Sequence, residues 1–304
     1  MTEIQTQTVM APFAEVWIAG EQVDARVSRY RAGKSIIQPG GVCEVTLAHP
    51  EGVSSPALDA FLAASPKEKP LTQIKLGLGY RGLNDGEPYG VFTGYIQKAE
   101  ALHDGRILKI LALDDLPLRN LIYKKGSLSV KLSEDISEIV VKAGIAEHWL
   151  NLPNKTFSHR IQNTQTAFDL LASLRKRALL PYPWYFDANG LFLWTPWEAE
   201  DQAETPVYRY QTNIVLLKPS ESDLSGEDDR YRKSPLYKDW KEAQPKGPVY
   251  ELETIPAPWL YAGQVVRVEK HPKAASGDYR IDSLVHKRGG GQTRTVAMIR
   301  RIAV

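Results

Sequence analysis

The 304-residue chain carries 38 Lys and Arg against 36 Asp and Glu, a net charge of +2, with 43% hydrophobic and 24% charged residues. That balance argues against general attraction to nucleic acid or a membrane surface, and it suits a globular chain of about two to four small domains. The single cysteine, Cys43, excludes an intrachain disulfide and any multi-cysteine metal site. The N-terminal stretch lacks a basic start and an apolar run, and no apolar run approaches a membrane span. A protein folded in a cytoplasm is therefore expected, and the Asn154-Lys-Thr156 sequon carries little weight.

In chain order, short strands are read at 15–19 and 24–30. Val42–Ala48 alternates cleanly, with Cys43, Val45 and Leu47 on one face, which makes Cys43 a core thiol. Ser55-Pro56 predicts the start of a short helix through Ala64. Thr72–Tyr80 alternates again, with Ile74, Leu76, Leu78 and Tyr80 inward. Val91–Ile96 and Arg106–Leu113 form a hairpin turned by His103-Asp-Gly105, where Asp-Gly tolerates positive φ. The second of these strands is apolar on both faces (Ile107 and Leu111 against Leu108 and Ile110). That pattern marks burial between two layers or inside an assembly.

After Leu116-Pro117 the character changes. Ser133–Ala143 predicts an amphipathic helix closed by Gly144, and a second begins at Thr166, with Asp169 as its capping partner. An aromatic hairpin follows, Tyr182-Pro-Trp-Tyr-Phe186, the turn Asp187–Gly190, and Leu191–Trp194. Strands resume at Val207. Ser220–Gly247 is rich in Ser, Glu, Asp, Lys, Pro and Gly, too polar to offset the entropy of ordering it. Its apolar exceptions, Tyr231, Leu236, Tyr237 and Trp240, suit a partner anchor. Tyr279–His286, a Gly289-Gly-Gly turn and Thr293–Ile299 then repeat the earlier hairpin. Phe92 to Ile107 and Tyr279 to Arg294 are each fifteen residues.

The fold class expected is mainly β with an α/β portion (α+β). It divides into a tube-like β-barrel at 1–118, a two-helix α/β block at 119–200, and a second β-barrel at 201–304 carrying the 220–247 insertion.

Several motifs promise chemistry without its context. Gly77-Leu-Gly79-Tyr-Arg-Gly82 has dinucleotide-binding spacing, but a turn follows it where a helix is required, so its glycines are read as easing strand twist. Gly33-Lys34-Ser35 lacks the first glycine of a phosphate loop. Histidines 49, 103, 148, 159, 271 and 286 show no ligand spacing and are read as surface or half-buried. Asp114-Asp115 is read as a strand terminator and Asp228-Asp229 as solvated. Tyr182, Trp184, Tyr185, Phe186, Phe192, Trp194 and Trp197 form either a sugar-stacking platform or a hairpin core, and the core reading is preferred. No catalytic, cofactor or metal residues are assigned, and no enzyme activity is expected.

The order of parts resembles the baseplate hub proteins of phage tails, the late control protein D family, and the N-terminal half of type VI secretion spike proteins. Four pieces carry the resemblance. They are Val91-Phe-Thr-Gly-Tyr-Ile96 after an alternating strand; the helix end Val141-Lys-Ala-Gly-Ile145; Thr166-Ala-Phe-Asp-Leu-Leu-Ala-Ser-Leu174 with Tyr185–Trp194; and Tyr261-Ala-Gly-Gln-Val-Val-Arg-Val268 with Gly277-Asp-Tyr-Arg-Ile-Asp-Ser-Leu-Val-His286. The resemblance implies a homotrimeric ring in a virion tail baseplate, made in a bacterial host. The ring would join a sixfold tail tube protein to a threefold central spike protein beside other baseplate proteins. DNA would be only cargo through its lumen, and no cofactor or membrane anchor is implied. The alternatives are a carbohydrate-active tail hydrolase using the 182–197 aromatics, and a single-strand nucleic-acid barrel. The near-neutral charge disfavours the latter.

Overall fold

The computed structural model describes residues 12–66, 68–81, 86–122, 127–145, 148–152, 156–160, 165–178, 180, 183–194, 205–209, 212–220 and 247–302. It is mainly β. The first unit comprises β1 (Pro12–Ile18), β2 (Glu21–Gln22), β3 (Arg26–Ser35), β4 (Val42–Ala48), α1 (Pro56–Ala63), β5 (Gln73–Tyr80), β6 (Tyr89–Leu102) and β7 (Ile107–Leu113). Alternation sends Val45, Leu47, Ile74, Leu76, Leu108 and Ile110 into one core, with Cys43 fully enclosed among them. The Ser55 hydroxyl caps α1 by accepting from the Leu58 N–H (3.3 Å), and Leu58 and Phe61 seal the core.

Three details of the first unit depart from the sequence reading. β3 runs on from Tyr30 to Ser35, because Ala32 continues the buried set and the apparently polar Lys34 is buried with it. β6 does not stop at Ile96; it passes a bulge at Gln97 and continues to Leu102. β7 buries Leu108, Ile110 and Ala112, whereas Ile107, Leu111 and Leu113 on its other face are only half-buried beside exposed Lys109. Gly77 and Gly79 lie mid-strand for a reason of space. A Cβ at Gly79 would stand 2.6 Å from the Phe13 ring, and one at Gly77 2.9 Å from the Trp17 ring. The glycines leave room for cross-strand aromatics.

The middle segment holds α2 (Leu116–Asn120), β8 (Ser127–Lys131), α3 (Leu132–Lys142), β9 (His148–Leu150), β10 (Thr156–Arg160), α4 (Ala167–Ala178), β11 (Tyr185–Phe186) and β12 (Phe192–Trp194). α3 buries Ile136, Ile139 and Val140, and Gly144 leaves it at φ 82. The Thr166 hydroxyl caps α4 by accepting from the Asp169 N–H (3.1 Å). The aromatic hairpin closes over both helices, its turn held by the Asp187 carboxylate accepting from Asn189 N–H and Leu191 N–H. β9, invisible to periodicity at three residues, adds to β12 in parallel.

The second unit comprises β13 (Val207–Arg209), β14 (Ile214–Pro219), β15 (Val249–Thr254), β16 (Val265–Glu269), β17 (Gly277–Gly289) and β18 (Gln292–Arg301). Its strands hydrogen-bond in the order β14-β15-β18-β17-β16-β13, and the first unit's in the order β3-β4-β7-β6-β5-β1. The strand order is the same twice, and the units differ at its end, where β1 joins β5 antiparallel but β13 joins β16 in parallel. The registers agree in detail. Lys98 opposite Leu111 and Leu111 opposite Glu44 match Ser283 opposite Met298 and Met298 opposite Glu251. Arg31 opposite Glu44 matches Lys218 opposite Glu251, so a cross-strand charge pair recurs at the same place. Bulges recur as well, at Gln97 and Asp282 and at Ser28 and Val215. The bulge alignment sets Phe92 against Gly277, two residues from the Tyr279 suggested by equal spacing, because the paired arms of the second hairpin run further beyond the bulge. Hydrogen bonds between β17 and β3 merge both units into one sheet.

The aromatic hairpin is core. Trp184 and Trp194 are fully buried with ring centroids 5.1 Å apart, and Phe168 meets Trp184 edge-on at 5.5 Å. Trp184→Ala is expected to destabilise the protein by about 3–5 kcal/mol, read from denaturant unfolding followed by near-ultraviolet dichroism.

Candidate assembly surface

The joint between the two units is built on Asp282. It is the bulge residue of β17, and the bulge lets one strand edge change partner, from β16 at Gly277–Arg280 to β3 at Ser283–Arg288. The Asp282 carbonyl accepts the Ile36 N–H at 3.0 Å. Its fully buried carboxylate accepts from Arg280 Nε (2.8 Å) and Arg300 Nε (2.7 Å). Burial lowers the Arg280 pKa, and the Asp282 charge opposes that shift. Arg300 reaches further, to the Gly247 carbonyl at 3.3 Å. Three charged groups are thus paired at the point where backbone pairing switches.

A second buried network braces the other side of β3. Lys34 Nζ donates to the Asp114 carboxylate (2.7 Å), which also accepts the Gly41 N–H (2.6 Å). Asp115 accepts from Arg119 Nε and Nη2, both at 2.8 Å, and Arg119 stacks on the Phe168 ring at 4.2 Å. Burial raises the Asp115 pKa, and the Arg119 hydrogen bond opposes the shift. A Cβ at Gly40 or Gly41 would collide with these carboxylates, so the Gly-Gly pair is required. Asp114-Asp115 does follow the end of β7, as the sequence reading had it, but both carboxylates are buried: Asp114 ties β3 to the Gly40-Gly41 turn, and Asp115 pairs with Arg119 of α2.

The outer face of the merged sheet is a concave surface enclosing about 940 Å³. It runs from β6 and β7 across β4 and β3 to β17, β18 and β15, and presents seven Lys and Arg side chains against four Glu. Arg29, Arg31, Lys98 and Lys109 alternate there with Glu44 and Glu100, while Leu111 and Val296 supply apolar patches. This is where the half-buried face of β7 looks. A separate cavity of about 640 Å³ lies where the two units meet the aromatic hairpin. Tyr89, Tyr185, Trp259 and Tyr261 line it beside Trp149, which is 55% exposed.

Other sequence assignments fall as follows. The Gly33-Lys34-Ser35 segment is the end of β3, and Gly77 and Gly79 are strand residues, so neither cradles a phosphate. His286 is buried (3% exposed) and not a surface group, because it lies on the core face of β17 with Nδ1 3.1 Å from the Thr295 hydroxyl. Among the described residues no three His, Cys, Asp or Glu side chains gather as a metal site requires. Tyr231, Leu236, Tyr237 and Trp240, with Asp228-Asp229, Tyr182 and Trp197, lie outside the described residues. The buried carboxylates were missed by sequence reasoning. The available signal was the Gly40-Gly41 pair, which demands a close neighbour.

The fold is that of phage tail proteins. Among solved structures, a tail protein from Neisseria meningitidis MC58 superposes with TM-score 0.66 at 11% identity, covering 96% of each chain. The 43 kDa tail protein of prophage MuSo2 from Shewanella oneidensis gives 0.63 at 14% identity over 96% of this chain and 97% of that one. An E. coli component of the type VI secretion system, itself structurally similar to T4 bacteriophage tail proteins, gives 0.61 at 10% identity over 95% and 77%. No protein-family model and no curated protein matches the chain.

Burial pushes the His286 imidazole down to about 4 from its ordinary 6.5. The folded state thus holds it neutral. Its contribution to stability is complete above pH 6.5 and is lost as the pH falls toward 4. Replacing it by Gln is expected to remove a pH-dependent loss on the order of 3 kcal/mol across that window. Denaturant unfolding of parent and His286→Gln at stepped pH reads this as a narrowing difference on acidification.

Proposed function

We propose that the chain is the structural hub of a phage-tail baseplate or related injection particle. Three copies close into a ring between a sixfold tail tube and a threefold central spike. The observation that carries this reading is the duplicated topology. One chain holds two units of the same strand order, already joined edge to edge, so three chains supply six near-equivalent units. In this reading each unit curls as a tube-like barrel, with 1–118 and 201–304 as the ring units and 119–200 as a block on the ring.

The concave face then lines the lumen. Its interleaved charges, with a modest cationic excess, suit the passage of DNA as cargo without holding it. Tyr231, Leu236, Tyr237 and Trp240 serve as an anchor for the spike, the tube or another baseplate protein, placing the protein in the virion tail. The role is mechanical and not catalytic. The aromatics that a sugar platform would need, Trp184, Phe186, Phe192 and Trp194, are buried and already packed on each other.

Light scattering across a concentration series, alone and after mixing with the tube and spike proteins of the same particle, tests the ring. The expected mass of the ring itself is three times the 34.0 kDa chain. A chain that stays monomeric in the full mixture would refute the hub. Peptidoglycan cleavage by the purified protein that disappears on substituting one carboxylate would refute the non-catalytic role.

A further inference from the structure

We infer that the cavity between the two units and the aromatic hairpin is a binding site for an uncharged oligosaccharide, which it recognises by stacking and does not cleave. The inference is independent of the ring. Its rings come from separate parts of the chain. Tyr185 of β11, Leu193 of β12 and Trp149 of β9 pair across the small sheet as one row. Their strand neighbours Phe186, Phe192 and Trp194 are buried, so alternation divides the sheet into two faces. One face is spent on the helical core, and the other turns Tyr185 and Trp149 into the cavity. Tyr89 at the start of β6, with Trp259 and Tyr261 between β15 and β16, completes the aromatic lining. Trp259 is held in place by its own neighbours, with ring centroids 6.3 Å from both Tyr80 and Tyr89. The Tyr80 hydroxyl in turn donates to the Pro256 carbonyl. Trp149 and Tyr261 are 55% and 43% exposed. Two aromatic faces left to water beside a cleft of about 640 Å³ fit a ligand site, since small-molecule sites have volumes of this order.

The polar lining selects the class of ligand. Among the described residues its one cation is Lys34, already paired with Asp114 at 2.7 Å, so a phosphate or other anion meets no unpaired charge. Its one carboxylate is Asp187, whose Oδ1 is held by the Asn189 and Leu191 N–H groups. Hydrolysis of a glycosidic bond takes two carboxylates, so the site binds without cutting. The exposed amides of Asn151 and Asn189 stand at the rim. Buried His286 also lines the cavity, with Nδ1 on the Thr295 hydroxyl and its ring beside the Leu260 backbone. Its Nε2 forms no hydrogen bond of ordinary geometry among the described residues. Neutral polar groups interleaved with aromatic faces match a pyranose, whose C–H faces stack on rings while the hydroxyls at its edge hydrogen-bond. An acyl chain would instead cover those amides and the imidazole without pairing them.

The test titrates the full chain with maltotriose, cellotriose and chitotriose, read by saturation-transfer NMR on the sugar and by tryptophan fluorescence of the protein. Saturation transfer to the ring protons of at least one sugar is expected. Trp149→Ala and Tyr261→Ala should each weaken that binding about tenfold while leaving thermal unfolding unchanged, because both rings are exposed. Absence of transfer to all three sugars overturns the site, and so does binding that survives both substitutions. Should octanoate or a proline-rich peptide bind instead, and be lost with the same substitutions, the cleft belongs to an acyl chain or a polypeptide and the saccharide assignment falls. None of these outcomes bears on the ring, whose own test is the mass in solution.

Discussion

A strand edge offers its hydrogen bonds to one neighbour at a time, and β17 serves two neighbours on the same edge. The Asp282 bulge makes this possible. One extra residue turns the strand, ends its ladder with β16, and presents the next residues to β3. A bulge exposes a carbonyl and leaves space, and here both are used: the carbonyl takes the Ile36 N–H, and the side chain gathers Arg280 and Arg300. Without that residue the two units would share no ladder, and the concave face would break in the middle. Breaking a buried pair is far more costly than forming it is favourable, so the cluster works mainly as a specifier of geometry.

The counterpart position in the first unit shows what is special about this arrangement. Gln97 occupies the same bulge, is exposed, and holds no buried charge cluster. The same backbone device therefore serves two environments. One is sealed by ion pairs inside the chain, and the other is open at its margin. The two halves of the duplicated fold are thus told apart by what surrounds their matching bulges.

Much of this was legible from residue pattern. Val42–Ala48 and the Ser55-Pro56 helix start emerge directly from alternation and capping chemistry, as do the Thr166–Asp169 cap and the Asp187–Gly190 turn. The internal repeat showed as two hairpins of similar span, but its registers did not, because bulges and unequal hairpin arms shift equivalent residues without leaving a periodic signal. Strand ends were lost where polar residues are buried for a partner far along the chain. Lys34 reads as solvent-facing until Asp114 is brought to it across β4. His286 reads as a surface histidine until β3 is laid beside β17 and sets Ala32 opposite it. In each case the deciding neighbour is dozens of residues away or more, beyond any local window. The candidate assembly surface itself was foreshadowed only by the doubly apolar β7, and its charges became a face only once seven strands lay side by side.

Pro219 has a consequence for proteostasis. Because Ser220 directs its N–H toward β15, the nitrogen of Pro219 faces the side of β14 away from β15, where it has no proton to give. Any strand sliding along that edge meets a gap in the donor pattern. Out-of-register additions, the beginnings of amyloid-like fibres, are thereby interrupted. Val215 and Leu216 are exposed on the same strand, so the proline acts as a gatekeeper against fibre-like strand addition there.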